Sequence, residues 1–439
     1  MPTQFHLAWF VANGFGVQGF RGGWDDTWSG TNGRDYAKAD LYVDMARSLE
    51  RAGFDYMMLE DSSNVPYTYG GTHDIYTKHA IAAPKHDPSQ LAPILAYATQ
   101  KLGIVATLST SEYHPYMLAR QISTLDHLAE GRGGWNIVTG SNDGTAQNYG
   151  FDGHYPHDER YDRADEFVDV VRKLLASWEA DAIVMDRETG TFADGSKIHA
   201  IHHDGQYYRS RGPLNVSSSP QGQPVFCQAG GSPRGREFAA ANADTIIGSA
   251  NGISEMKAFR EDVHERMVRL GRNPSDCKIL FLIDPVLGET AEHAKDRKAQ
   301  AKAELAENFE REAANFARIT GIDYATMDPD LPLPELKSNG HQSSLEARIK
   351  AGAKTVRELV MSRSATDALG LVGTPDAVAS EMGDVMDEVG GDGYLFGPRT
   401  VNRRSIAEIT DGLVPELQRR GLTRMAYEYD TFRENLLAF

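Results

Sequence analysis

The stretch Val225–Ala240, VFCQAGGSPRGREFAA, holds residue types that can do chemistry at a useful spacing. Val225, Phe226 and Cys227 suit a short buried strand. Gly230-Gly231 allow a sharp turn, and Ser232-Pro233 read as the N-cap and first position of a helix. A helix N-terminus presents unpaired N–H groups and partial positive charge, so glycines there can admit a phosphate. Two readings fit these residues alone, a phosphate cradle and an ordinary serine-capped turn. His157 and Tyr161 open a second helix in HDERY and can reach the same phosphate. Asp61, Thr107, Ser109, Asn136 and Thr139 add a carboxylate, hydroxyls and an amide near the ends of apolar runs. Asn136 stands in Trp-Asn-Ile-Val, where a buried amide needs hydrogen bonds, to a neighbouring backbone or to a heteroaromatic edge. Donors, hydroxyls and helix N-termini without a P-loop lysine suit a phosphorylated organic cofactor better than a nucleoside triphosphate.

The elements that must position these groups alternate along the chain. Apolar runs at Phe5–Val11, Tyr56–Leu59, Gly103–Leu108, Gly134–Val138, Val225–Gln228, Thr245–Ile247, Ile279–Val286 and Gly393–Phe396 read as eight strands, nearly all followed by helices. Eight such repeats predict an α/β fold, a closed (β/α)8 barrel, as one domain over residues 1–439. Insertions are expected at about 13–33, 62–87, 182–220 and 320–364. Ala291–Ala317 reads as one long charged helix, 182–220 as an inserted hairpin region, and Arg404–Arg420 as the closing helix. In a barrel of this kind ligands sit at the C-terminal strand ends, where Asp61, Thr107, Asn136 and Gln228–Ser232 fall.

Bulk properties remove other classes. A formal net charge of −17 disfavours nucleic acid and anionic membranes as partners. Two cysteines, Cys227 and Cys277, support neither a disulfide scaffold nor a cysteine zinc site. No signal peptide or bilayer-length apolar run is seen, so a cytoplasmic protein is expected. Gly14-Phe15-Gly16-Val17-Gln18-Gly19 matches G-x-G-x-x-G, but a poor helix former follows it, so we read a substrate-side loop. His199, His202 and His203 lie in turn-like sequence without a helically spaced carboxylate, so solvated turn histidines are expected and no metal. No G-x-S-x-G nucleophile elbow occurs.

Several long motifs in order resemble the bacterial luciferase-like flavin monooxygenases: FHLAWF, ERAGFDYMMLED, STLDHLAEGRGGWNIVTG, HDERYDRADEF, SPQGQPVFCQAGGSPRGREFAA and LVGTPDAVASEM. The closer similarity is to the subgroup of nitrilotriacetate, dibenzothiophene sulfone and long-chain alkane monooxygenases. The resemblance implies a TIM-like barrel that takes reduced FMN from a separate NAD(P)H:flavin reductase and reacts it with O2. A C4a-hydroperoxyflavin would then oxygenate a small heteroatom-containing or xenobiotic substrate. It further implies a homodimer or homotetramer. By motif, Asp61, Thr107, Asn136, Gly140 and Ser141 would line the flavin and ribityl chain. His157, Tyr161, Ala229, Gly230, Gly231 and Ser232 would surround the phosphate. Tyr67 and His114 lie where the family's pocket opens and are candidates to position substrate or peroxide. The alkane-type cysteine and histidine are not evident in Asn13–Gly23, which argues against an alkane. The long loops 13–33, 62–86 and 320–364 would form a lid over a dry pocket. Two alternatives are an F420-dependent oxidoreductase of the same superfamily, for which Arg234 and Arg236 would favour the acidic tail, and a non-enzymatic flavin-binding protein, which would need no lid.

Overall fold

A computed structural model describes residues 4–17, 35–362, 367–398 and 401–439. Eight parallel strands close into a barrel. They are β1 (His6–Val11), β2 (Tyr56–Leu59), β3 (Gly103–Ser109), β4 (Gly133–Val138), β5 (Val225–Ala229), β6 (Thr245–Gly248), β7 (Lys278–Ile283) and β8 (Gly393–Phe396). Sequence neighbours pair in turn, and β8 closes the ring between β7 and β1. The surrounding helices are α1 (Asp40–Arg51), α2 (Pro88–Ala98), α3 (Pro115–Leu128), α4 (His157–Leu175), α5 (Pro233–Asn242) and α6 (Ile253–Arg269). They continue as α7 (Ala291–Glu307), α8 (Phe309–Thr320), α9 (Gln342–Lys350) and α10 (Pro375–Val389).

Both faces of the strands are buried, so the runs are apolar throughout rather than alternating. Side chains of one parity fill the barrel: Ala8, Tyr56, Met58, Val105, Val225, Cys227, Ile247, Leu280, Leu282 and Leu395 pack together. The other parity meets the helices, as where Trp135 packs on Phe167 and Phe226 and donates from Nε1 to Leu108 O at 2.8 Å. A C-terminal helix, α11 (Phe432–Leu436), caps the N-terminal mouth, with the Phe432 ring 5.4 Å from that of Tyr56. Beside it a buried set joins Asp55 to His6 Nδ1 at 3.0 Å and to Arg424 Nη2 at 2.5 Å. The periodicity of the sequence gives no hint of this plug.

The insertions carry more structure than their sequence suggests. Residues 182–220 do form hairpins, Ile183–Asp186 with Thr191–Ala193 and His203–Asp204 with Arg209–Ser210. The expected single helix Ala291–Ala317 is two, α7 and α8, broken at Asn308 (φ −114°, ψ 38°). Only Ala294 of α7 is buried, whereas α8 packs one face inward. The closing helix over 403–419 contains a π-helical segment, Glu408–Leu413. Phe15-Gly16 pairs antiparallel with Lys85-His86, so the glycine-rich stretch starts no helix there; Gln18, Gly19 and the rest of 18–34 lie outside the described residues, as does Ser364 of the last insertion. Among the described residues no helix is long and apolar enough to cross a membrane.

Candidate active site

The C-terminal mouth of the barrel has an apolar floor and a polar rim. Phe10, Met58, Ile247 and Leu282 pack at the upper end of the barrel interior. Thr107 and Asn136 face each other across the β3–β4 register, and Asn136 Nδ2 donates to Thr107 Oγ1 at 2.8 Å. Both are buried, yet Asn136 Oδ1 has no hydrogen-bond partner. An unmet buried acceptor costs on the order of 1–3 kcal/mol. The Thr107 hydroxyl holds the amide in place, and in this orientation the oxygen is open to an N–H from a ligand. Ala229, two residues beyond the inward-facing Cys227, is exposed into the same mouth.

The expected helix N-terminus is present. Ser232 caps α5, its Oγ accepting from Gly235 N at 3.0 Å and lying 3.3 Å from His157 Nε2. His157 opens α4 and is held through Nδ1 by Asp158 at 2.7 Å. Its ring lies 5.2 Å from that of Tyr161, edge to face. Burial pushes the Tyr161 hydroxyl up, with Arg160 and hydrogen bonds from Gln228 and Ser232 opposing, so it stays a donor. A Cβ on Gly231 would come within 2.9 Å of Ser343 Oγ, which brings the start of α9 onto the turn. His157, Tyr161 and Gly230–Ser232 therefore form one cluster.

Other candidates are placed around it. Gly140 follows β4 at φ +75°, and a Cβ there would enter the His154 ring at 2.4 Å. Ser141 is half-buried beside it. His154 is held to about 4, chiefly by burial and then by Arg160, and its Nε2 is buried without a partner. Asp61 follows β2; burial first, then Glu60 and Glu112, raise it to about 7 against the pull of Lys85. Its Oδ1 accepts from Ser62 N at 2.8 Å. Tyr67 donates to Gln147 Oε1 at 3.2 Å over the helix Asp143–Asn148. His114 stands apart: it is exposed and caps α3, its Nδ1 accepting from Tyr116 N at 3.2 Å.

Of the segments expected to form a lid, the described parts of 62–86 and 320–364 pack together. Residues of α8, α9, the helix Val356–Met361 and the turn Tyr324–Thr326 build a second hydrophobic core of Ala313, Phe316, Ala317, Tyr324, Leu345, Val356, Leu359 and Val360. Tyr76, from the insertion after β2, donates to Ala314 O at 3.1 Å and joins the two insertions.

Several rim residues escaped sequence reasoning. Glu60, not Asp61, continues the inward parity of Tyr56 and Met58, and it binds Lys85 Nζ at 2.5 Å. That alternation was visible in YMMLED. Lys85, Arg318, His341 and Ser343 come from insertions whose placement no local pattern encodes. Arg234, expected to favour an acidic cofactor tail, is bound by Asp162 at 3.0 Å and Asp165 at 2.5 Å, and Arg236 by Asp262. Among the turn histidines, His199 and His203 are not simply solvated: they contact Glu179 at 2.7 Å and Glu166 at 3.1 Å. No group of three or more potential metal ligands gathers among the described residues.

Residues 20–393 match the family model of luciferase-like monooxygenases. The chain is 35% identical to dibenzothiophene-sulfone monooxygenase of Rhodococcus erythropolis (strain XP), covering 99% of this chain and 96% of the relative. It is 36% identical to nitrilotriacetate monooxygenase component A of Aminobacter aminovorans, over 90% and 89% of the two chains. A crystal structure of riboflavin lyase with modified FMN and substrate riboflavin superposes with a TM-score of 0.88 at 30% identity, covering 100% of this chain and 96% of that one.

Proposed function

The chain belongs to the luciferase-like monooxygenase family, and on that premise we propose that it is the oxygenase component of a two-component FMN monooxygenase. In this reading a separate NAD(P)H:flavin reductase supplies reduced FMN, and the enzyme works in the cytoplasm as a homodimer or homotetramer. The observation that carries the proposal is Asn136 Oδ1, a buried acceptor without a partner, in the same barrel mouth as the Ser232 helix N-terminus. FMN offers both complements, ring N–H donors and a phosphate.

Ser232, Tyr161 and His157 would bind the phosphate, with Gly230-Gly231 letting it approach the backbone. Asn136 would orient the ring, its amide fixed by Thr107, and Asp61, Gly140, Ser141 and Ala229 would line the ring and ribityl chain. When bound, reduced FMN with O2 supplies the oxygen atom that is transferred. The protein's part is orientation, exclusion of water and control of protons. Phe10, Met58, Ile247 and Leu282 give the ring a dry floor, and the α8–α9 layer with Tyr67 limits solvent from above. With Oδ1 held by the Ser62 amide, Asp61 Oδ2 is the atom that can take up or release a proton near neutrality. His114, a cap on α3, would act on substrate only through that helix. Heteroatom oxidation fits the relatives, whose names include sulfone and amine-acid substrates.

The test is an anaerobic titration of flavin-free protein with photoreduced FMN, followed by 18O2 in the presence of a thioether probe. Tight binding of the reduced flavin and one 18O atom in the product are expected. If reduced FMN does not bind, or the label stays in water and peroxide, the reading fails.

A further inference from the structure

Arg318 and His341 lie over the barrel mouth, and Arg318 Nε has no hydrogen-bond partner among the described residues. Arg318 sits near the end of α8, and among the described residues its one hydrogen bond runs from Nη2 to Asn315 Oδ1 at 3.3 Å. Its Nε is buried without a partner, and among the described residues no carboxylate lies within 4.0 Å of it. Glu60, whose charge acts on Arg318, is already taken by Lys85 at 2.5 Å. Arg318 is half-buried, and a guanidinium partly withdrawn from water is stabilised by supplying an anion.

The position of the pair is triangulated. His341 N donates to Ile319 O at 3.0 Å, which sets it next to Arg318. Arg160 Nη2 donates to Asn339 O at 2.9 Å, tying the same segment to α4. Two residues on, Ser343 touches the Gly231 turn. The pair thus faces the mouth between Glu60 at the end of β2 and the cradle at the end of β5. His341 has exposed surface and is nevertheless held unprotonated down to about 4, by burial and then by Arg318 and Arg160. Unprotonated, it offers one N–H beside the permanent charge of Arg318.

We propose that Arg318, assisted by His341, is an anion-recognition element of the substrate pocket, so the substrate of the oxygenase proposed above carries a carboxylate or sulfonate. The inference rests on that reading for the word substrate, but its chemistry is tested independently. The same oxyanion chemistry is also present in the FMN phosphate, and the experiment separates the two sources.

Isothermal titration of flavin-free and FMN-loaded protein would compare (phenylthio)acetate with its methyl ester, in the wild type, Arg318→Gln and Arg318→Lys. The wild type is expected to favour the acid over the ester by at least tenfold. Arg318→Gln should bring that ratio close to one, Arg318→Lys should retain most of it, and the preference for FMN over riboflavin should be unchanged in both. An acid-to-ester ratio near one in the wild type overturns the proposal. So does an Arg318→Gln variant that keeps the ratio, or that loses the preference for FMN over riboflavin instead, which would assign the arginine to the phosphate. Should Arg318→Gln not fold, the wild-type ratio and its survival in Arg318→Lys still decide. Failure to bind FMN at all would sink the monooxygenase reading while leaving the flavin-free acid-to-ester comparison valid.

Discussion

Asp61 keeps its proton to about pH 7 because it is buried near three further carboxylates, Glu60, Glu112 and Asp87, with Lys85 opposing. The folded state therefore binds a proton that the unfolded chain releases near pH 4, so this group lowers stability as pH rises from about 4 through 7. Asp61→Asn in flavin-free protein should remove that slope, leaving the variant more stable than wild type at pH 8 by on the order of 1–2 kcal/mol. Thermal unfolding at pH 5 and pH 8 measures it, and an unchanged pH slope would refute the assigned protonation. At the proposed phosphate cradle, Ser232→Ala with Tyr161→Phe removes two hydroxyls. Hydrogen bonds to charged groups contribute roughly 1.5–3 kcal/mol each, so reduced-FMN affinity should fall about tenfold or more. Unchanged affinity by titration would exclude both residues from the phosphate site. Gly140→Ala meets two obstacles at once, the positive φ and the His154 ring at 2.4 Å. It should cost about 1–3 kcal/mol in a chemical denaturation series.

At the scale of elements, the barrel strands and their helices follow from sequence, whereas the pieces that close the barrel do not. Helix α11 is five residues long, too short to show a period, yet Phe432 is fully buried beneath the strands. Phe432→Ala should destabilise by about 3–5 kcal/mol without altering flavin affinity per folded molecule. Urea unfolding read beside an FMN titration separates the two effects. The break at Asn308 has a similar origin. Through α7 and α8 the composition stays helix-forming, so propensity alone predicts one helix. Only packing decides that α8 turns away to lay Ala313, Phe316 and Ala317 into the lid core.

Over the whole molecule, two hydrophobic systems stand in series: the barrel with its helices, and the smaller core of the insertions. A smaller cluster has less to lose on opening, so amides of 309–361 should exchange faster than those of β3–β5. Binding of FMN should slow the lid selectively in hydrogen–deuterium exchange. Equal protection of lid and barrel without flavin would contradict this division. The eight-strand alternation, the Ser232 cap, the opening of α4 at His157 and the buried amide of Asn136 were all legible in the sequence. Each is set by local rules: strand period, capping chemistry and the requirement to satisfy buried polar groups. The meeting of Arg318, His341 and Ser343 with the ends of β2 and β5 was not legible. Those residues approach over hundreds of positions, through insertions with no period of their own, and only tertiary packing fixes such contacts. Sequence alone thus determined the barrel and the serine-capped turn at the end of β5; the folded chain decided which charges face the mouth, because charge becomes specific only once its solvent and its partners are known.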